Sequence, residues 1–330
     1  MTIDNIFFVV QQSFLFSIPL LIVALGGMFS ERSGIVNIAL EGKMILGAFA
    51  GILFINRVQN GYIGFLYGLD GQWLLLLALV VAAAMGTFFA LFHAYATVSL
   101  NASQIISGVA INMFAPAFAI YVARTIGGTA QIFFDNNPFR IASVPLLGNI
   151  PVIGQLLFQR AFLTTYLGFL ILVLCTFVIY KTKFGLRLRA CGEHPQAADS
   201  VGVNVYKVRY AGVLISGALA GMGGLIFTVP VSTNFAGTVS GYGFLALGVL
   251  IFGAWRPQRI LFAALFFGLL QAIAHSHSGI PALMYLGIPS RFYSMIPFIA
   301  TLIVLGITSK KSTKNAAPKA LGQPYDKGTR

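Results

Sequence analysis

Three groups of polar residues stand out because the chain around them is apolar. In the stretch SERSGIVNIALEG, residues 30–42, Ser33, Asn37 and Glu41 recur every four positions. On a helix that spacing makes one polar stripe, with Ser30 or Ser33 placed to cap its start and Gly34 to let the chain bend. Gln104, Gly108, Asn112 and Pro116 repeat the interval; the amides offer hydrogen bonds, Gly108 leaves room beside them, and a proline breaks helices. The third group is Gly192, Glu193, His194, Pro195, Gln196, Ala197, Ala198, Asp199, Ser200, Val201 and Gly202. Pro195 suits the first turn of a helix and Gly202 its end, with room for about two turns between them.

The chemistry these groups offer is hydrogen bonding, not bond breaking. A carboxylate exposed to lipid costs at least roughly 2.5 kcal/mol on insertion scales, so Glu41 is expected to face a partner helix, a polar cavity or Lys43. Asn37, Glu41, Gln104 and Asn112 then line a passage or gate for a polar solute, or they are contacts that fix helix pairing. The 192–202 group is either a plain amphipathic connector or a short helix on which another protein pushes.

Other chemistries find no support. There is no G-x4-G-K-[ST] phosphate loop, no H-E-x-x-H and no G-x-S-x-G, so neither ATP binding of that kind nor a catalytic cluster is expected. His275 and His277 have no carboxylate or thiol near them in sequence, which argues against zinc. Cys175 falls in an apolar run and Cys191 in a basic loop; neither a disulfide nor a metal site is expected. No cofactor is called for.

The elements that must position these groups follow from composition. Of 330 residues, 58% are apolar and 9% charged, with a mean hydropathy of +0.86; a soluble domain carries about 25% charged residues. The apolar segments are continuous rather than alternating, which favours helices over a barrel. The expectation is an all-α polytopic membrane protein of about nine segments: 6–29, 34–55, 73–98, 103–123, 161–180, 208–229, 241–254, 259–275 and 292–308. Residues 241–254 and 259–275 are short enough to be broken or tilted.

Lysine and arginine set the orientation. The loop 181–209 and the tail 310–330 carry net charges of +4 and +5, so both are expected in the cytoplasm, together with the Trp255–Arg259 link and the turn at 30–33. Loop 124–160 then lies outside as an ordered cap with a short interfacial helix, and the N-terminus is a retained span. The net charge of +13 reflects these loops rather than nucleic-acid binding. Residues 1–309 form the membrane domain, and the basic tail 310–330 is expected to be disordered. Gly217 and Gly221 suit a close helix contact, and GAFAG at 47–51 echoes GALAG at 217–221.

Gln196-Ala197-Ala198, with Gly202 after three further residues, resembles the EAA-x3-G motif of ABC importer permeases, with Gln in place of Glu. SERSGIVNIALEG, GVAINMF at 108–114, RACGEHPQAADSVGVNVYKVRYAGVLISGALAGMGG at 189–224 and FGAWRP at 252–257 are similar to the branched-chain amino acid and ribose permease superfamily, most of all its nucleoside, simple-sugar-type subgroup. The similarity covers residues 14–308. It implies the permease subunit of a bacterial plasma-membrane importer that carries a nucleoside or sugar. It implies an ABC ATPase subunit, a second homologous permease and a substrate-binding lipoprotein as partners. In that family the motif forms the coupling helix, which assigns Gly192, Glu193, Pro195, Gln196, Ala197, Ala198 and Gly202 to ATPase coupling. The competing reading is a secondary transporter driven by an ion gradient, for which Glu41 is the one good carboxylate.

Overall fold

The computed structural model describes residues 3–144, 148, 150–152, 154–276, 289–308 and 317–327. Each expected apolar segment forms a helix. They are α1 (Ile3–Arg32), α2 (Leu40–Gln59), α3 (Gly71–Ala94, extended by a wide turn Tyr95–Ser99), α4 (Gln104–Gly127) and α5 (Leu163–Lys181). Two short helices follow, α6 (Lys183–Glu193) and α7 (Pro195–Ser200). The rest are α8 (Val205–Val231), α9 (Tyr242–Phe252), α10 (Pro257–Ser276) and α11 (Ser290–Thr308).

Among the described residues, six helices are long and apolar enough to cross a membrane: Phe7–Arg32, Gly71–Ser99, Gln104–Gly127, Leu163–Lys181, Val205–Val231 and Pro257–Ser276. α2 has the length but is mostly buried and carries Glu41 and Lys43. With eleven residues, α9 is only about 16 Å long at 1.5 Å per residue, half of a hydrocarbon core of about 30 Å. Of the two segments expected to be broken or tilted, 241–254 is therefore a half-length helix, whereas 259–275 lies within the 20-residue α10.

α8 stands at the centre, with α1, α2 and α3 packed on it. Glycine makes that possible. A Cβ on Gly217 would strike Ala90 and Gly86, one on Gly221 the Ala82 carbonyl, one on Gly224 the Met44 carbonyl, and one on Gly223 the Val23 side chain. Backbone thus meets backbone on the α2 and α3 sides of this helix, and dispersion between close main chains replaces the hydrophobic drive that lipid lacks. The echoing stretches prove to be partners: a Cβ on Gly47 would collide with the backbone of Gly221.

Contacts at the helix ends give the course of the chain. Near one end, Gln11 of α1 donates to the Gln155 carbonyl, Asn56 of α2 to the Phe133 carbonyl, and Asn136 to the Val229 carbonyl of α8. Near the other, basic end, Arg32 of α1 meets Trp255 and Glu193, and Ser99 meets Tyr210 of α8. Consecutive long helices therefore alternate in direction. After α8, Ser232–Gly241 turns back among the helices as non-helical chain before α9. Its Phe235 and Val239 are buried, and Gly237 lies against Pro116 and Ile120 of α4. Irregular backbone at that depth is tolerated because protein surrounds it.

The described residues are mostly helical, as expected, with two small antiparallel pairs among them at the end away from the basic loop. β1 (Ile132–Phe133) pairs with β4 (Asn234–Phe235), and β2 (Arg140–Ser143) with β3 (Gln159–Phe162). Loop 124–160, where a short interfacial helix is expected, carries two short helical turns among its described residues, Asn137–Phe139 and Gly154–Phe158; Pro145 lies outside the described residues.

The tail also departs from expectation. Residues 317–327 are not disordered: they lie across the basic end with Ala320 and Tyr325 buried. Composition alone misled, because one tyrosine and a few backbone amides suffice to dock a short segment. Residues 310–316 and 328–330 lie outside the described residues.

Candidate functional site

The four predicted pathway residues meet around one break in the helical structure. α1 ends at Arg32, the backbone turns at Gly34 with φ +97°, and α2 begins only at Leu40. Ser33, Asn37 and Glu41 therefore do not share a helical stripe. The serines do not cap α2 either: Ser33 Oγ donates to the Ser30 carbonyl and Ser30 Oγ to the Ile35 carbonyl. Both hydroxyls close the end of α1, and Ala39 precedes α2 without a side-chain cap.

A linker without helical hydrogen bonds needs partners for its backbone, and α4 supplies them. Gln104 Oε1 accepts from the Val36 amide at 2.7 Å. One turn on, a Cβ on Gly108 would press on Ile38 and Ala39. After another turn, Asn112 Oδ1 accepts from the Gly42 amide at 2.8 Å and its Nδ2 donates to the Ile38 carbonyl at 2.9 Å. The i, i+4, i+8 stripe of α4 is thus real, and it clamps the linker. Pro116 does not break α4, which continues to Gly127. On the other side, His93 of α3 lies 3.3 Å from the Val36 carbonyl and 3.0 Å from Ser107 Oγ.

Asn37 turns inward. Its Nδ2 donates to Ser216 Oγ of α8 at 2.6 Å, and its Oδ1 accepts from the fully buried Lys43 Nζ at 2.8 Å. Lys43 thus pairs with Asn37 rather than Glu41. Glu41 is buried against α9: its two carboxylate oxygens accept from the amides of Gly241, at 2.9 Å, and Gly243, at 2.6 Å. These amides open α9, where unpaired N–H groups and the helix dipole favour an anion. Gly243 permits the approach, since a Cβ there would collide with the Glu41 backbone. The carboxylate ties the break after α1 to the break before α9.

Nearer the basic end a second clip joins the same elements. Glu31 Oε2 accepts from Trp255 Nε1 at 2.6 Å, while Arg32 donates to the Trp255 carbonyl. Charge alone in SERSGIVNIALEG hinted at it; the partner is the tryptophan of FGAWRP, more than two hundred residues away, and no spacing rule connects them. His93 and Lys43 were likewise missed as partners of the linker, because each reaches it only through tertiary contact.

The 192–202 group forms the expected short helix. Pro195 opens α7 and Gly202, at φ +84°, ends it. Its two faces differ. Gly192, Pro195 and Ala198 are buried, and a Cβ on Gly192 would strike the Arg32 carbonyl; Gln196, Ala197, Val201 and Gly202 are exposed, and Glu193 is partly so. Arg32 and Glu193 approach to 3.9 Å, so this group touches the end of α1 directly. Among the described residues no three His, Cys, Asp or Glu side chains cluster to hold a metal; His277 lies outside them. Both cysteines are buried and free.

A model of the branched-chain amino acid transport system / permease component family matches residues 9–305. The chain is 43% identical to the guanosine ABC transporter permease protein NupQ of Bacillus subtilis, covering 98% of this chain and 97% of the relative. It is 40% identical to the nucleoside ABC transporter permease protein NupC of Lactococcus lactis, covering 98% of each. A more distant relative, the nucleoside ABC transporter permease protein NupB of the same organism, is 24% identical over 94% of this chain and 84% of its own length. No solved structure matches significantly. The chain belongs to the branched-chain amino acid transport system / permease component family, and it is a multi-pass membrane transport subunit rather than an enzyme.

Proposed function

We propose that the chain is the permease of an ATP-driven importer for nucleosides. The observation that carries the reading is end-to-end similarity, at 43% and 40% identity, to a guanosine and a nucleoside permease. In this reading an ABC ATPase binds at the basic end, which faces the cytoplasm, and a substrate-binding lipoprotein delivers nucleoside from the other side. A second, homologous permease completes the passage, as the two related lactococcal permeases suggest. The chain crosses nine times, with α2, α9 and α11 adding to the six long apolar helices, and its C-terminus is cytoplasmic.

The geometry supports a gate built on the two breaks. Asn37, Glu41, Gln104 and Asn112 spend their hydrogen bonds on the linker and on α9 while the path is closed. Rearrangement of α1 against α9 frees those donors and acceptors for the hydroxyls and base edges of a nucleoside. A polar hollow of about 210 Å³, bordered by Phe8, Gln12, Asn136, Asn137 and Arg140, lies at the outer end and suits reception of the solute. Gln196, Ala197 and Gly202 dock on the ATPase. Gly192, Glu193, Pro195 and Ala198 hold α7 to the rest of the chain and pass its movement to Arg32. Ion coupling through Glu41 is disfavoured, since both its oxygens are already committed to backbone amides.

The test is uptake of labelled guanosine into proteoliposomes holding the permease pair, the ATPase and the binding lipoprotein. Uptake that needs ATP and survives collapse of ion gradients is expected. Uptake without ATP, or driven by a gradient, would overturn the reading.

A further inference from the structure

The C-terminal segment has no part in the mechanism above, yet its contacts are specific. From one turn, the Ala320 amide donates to the Gly192 carbonyl at 2.9 Å and the Gly322 amide to the Gly34 carbonyl at 3.0 Å. Gly192 stands just before α7, and Gly34 is the bend at the start of the clamped linker. Two amides only two positions apart thus bridge the coupling group and the gate linker. The segment is anchored beyond the turn. Gln323 O accepts from Arg209 Nη1 at 3.1 Å, Tyr325 O accepts from Tyr206 Oη at 3.3 Å, and the rings of Tyr206 and Tyr325 meet edge to face at 5.4 Å. The Arg209 guanidinium lies 5.9 Å from the Tyr325 ring.

Arg209 sharpens the point. It is 1% exposed, and its Nε and Nη2 have no hydrogen-bond partner among the described residues. Sealing a guanidinium with one acceptor is unfavourable, so the segment is not held there by an optimised ion site. Taking it away would return water to Arg209, Gly34 and Gly192, and the helices would keep their packing. A segment anchored by Tyr325 that spans the coupling group and the gate linker is placed to transmit movement between them.

We infer that residues 317–327 form a strap that couples α7 to the linker 33–39, with Tyr325 and Arg209 as the positioning residues that anchor it. The inference rests on the proposed ATP-driven reading. When α7 is displaced, the Gly192 carbonyl moves the turn at 320–322, and the turn moves Gly34. Arg32 with Glu193 is the direct route between the same parts; the strap is a second and parallel one.

The experiment uses the complete transporter with the chain ended at residue 316, and separately with Tyr325→Ala and Tyr325→Phe. For the truncation and Tyr325→Ala, solute moved per ATP falls about fivefold or more, while the ATPase stays bound and hydrolyses ATP. Tyr325→Phe keeps the ring and backbone contacts and transports closer to the parent than Tyr325→Ala does. An unchanged ratio in the truncated complex overturns the inference, as does loss of the ATPase from it, which would make the strap an assembly element. Hydrogen–deuterium exchange on the chain alone gives a second measure: amides at 34–38 and 192–200 exchange faster together in the truncation, and loosening of neither or only one counts against the strap. Failure of the full-length complex to take up any nucleoside would instead strike the proposed function and leave exchange to decide the strap.

Discussion

Replacing Glu41 by glutamine tests the join between the two breaks. The carboxylate accepts two backbone hydrogen bonds, at 2.9 and 2.6 Å, from the first amides of α9. A hydrogen bond to a charged acceptor contributes about 1.5–3 kcal/mol, and a partly buried charge at a helix end up to about 2 kcal/mol. Glutamine keeps one carbonyl oxygen, so one bond survives in neutral form. Its amide NH2 then faces the second N–H, donor against donor, and the charge–dipole interaction is lost. The sum is about 2–4 kcal/mol; because removing a buried charge also relieves its desolvation, the lower half of that range is expected. At roughly 2 °C per kcal/mol, the purified chain should melt about 4–6 °C below the parent. Amides of 241–245 should exchange faster while those of α8 do not. An E41Q protein that melts with the parent and keeps its slow exchange at α9 would refute the claim that this carboxylate holds the half-helix.

Three further outcomes follow from the packing. Gly221→Val places its side chain on the Ala82 carbonyl and the Gly86 backbone, so no folded monomer should be recovered by gel filtration, whereas Gly202→Ala, with open space around it, should cost about 1–2 kcal/mol of backbone strain and still fold. Ala197→Arg, on the exposed face of α7, should block co-purification of the ATPase while the permease stays monodisperse; Ala198→Arg buries its charge, since Ala198 is 4% exposed, and should lower the melting temperature instead. Burial pushes the Cys191 thiol up to about 11, so at pH 8 only about one thiol in a thousand is the reactive thiolate; alkylation should be slow there and rise steeply towards pH 11, and rapid labelling at pH 8 would disprove the buried placement.

Most helices were legible in the sequence because lipid imposes a length and an apolar composition on each, and α7 was legible from Pro195 and Gly202. The amide interval on α4 was also readable, since one helix carries Gln104, Gly108 and Asn112. The same arithmetic failed at Ser33, Asn37 and Glu41, because an interval of four is meaningful only if the chain between is helical, and Gly34 begins an unwound stretch. What each polar group touches was not readable. Glu41 meets Gly241 and Glu31 meets Trp255 across two hundred residues or more, and backbone amides carry no sequence signature as partners. The tail was misread because charge suggested solvation, whereas Tyr325 and the carbonyls of Gly34 and Gly192 decide its place.

The chain contains two tryptophans, and they sit in opposite surroundings. Trp73, at the start of α3, is 63% exposed, while Trp255 is 7% exposed and donates its indole N–H to Glu31. A soluble or lipid-borne quencher should therefore silence one emitter and spare the other. The remaining fluorescence comes from the junction of α1 with the end of α9, so the unlabelled protein carries its own optical probe of that junction during turnover.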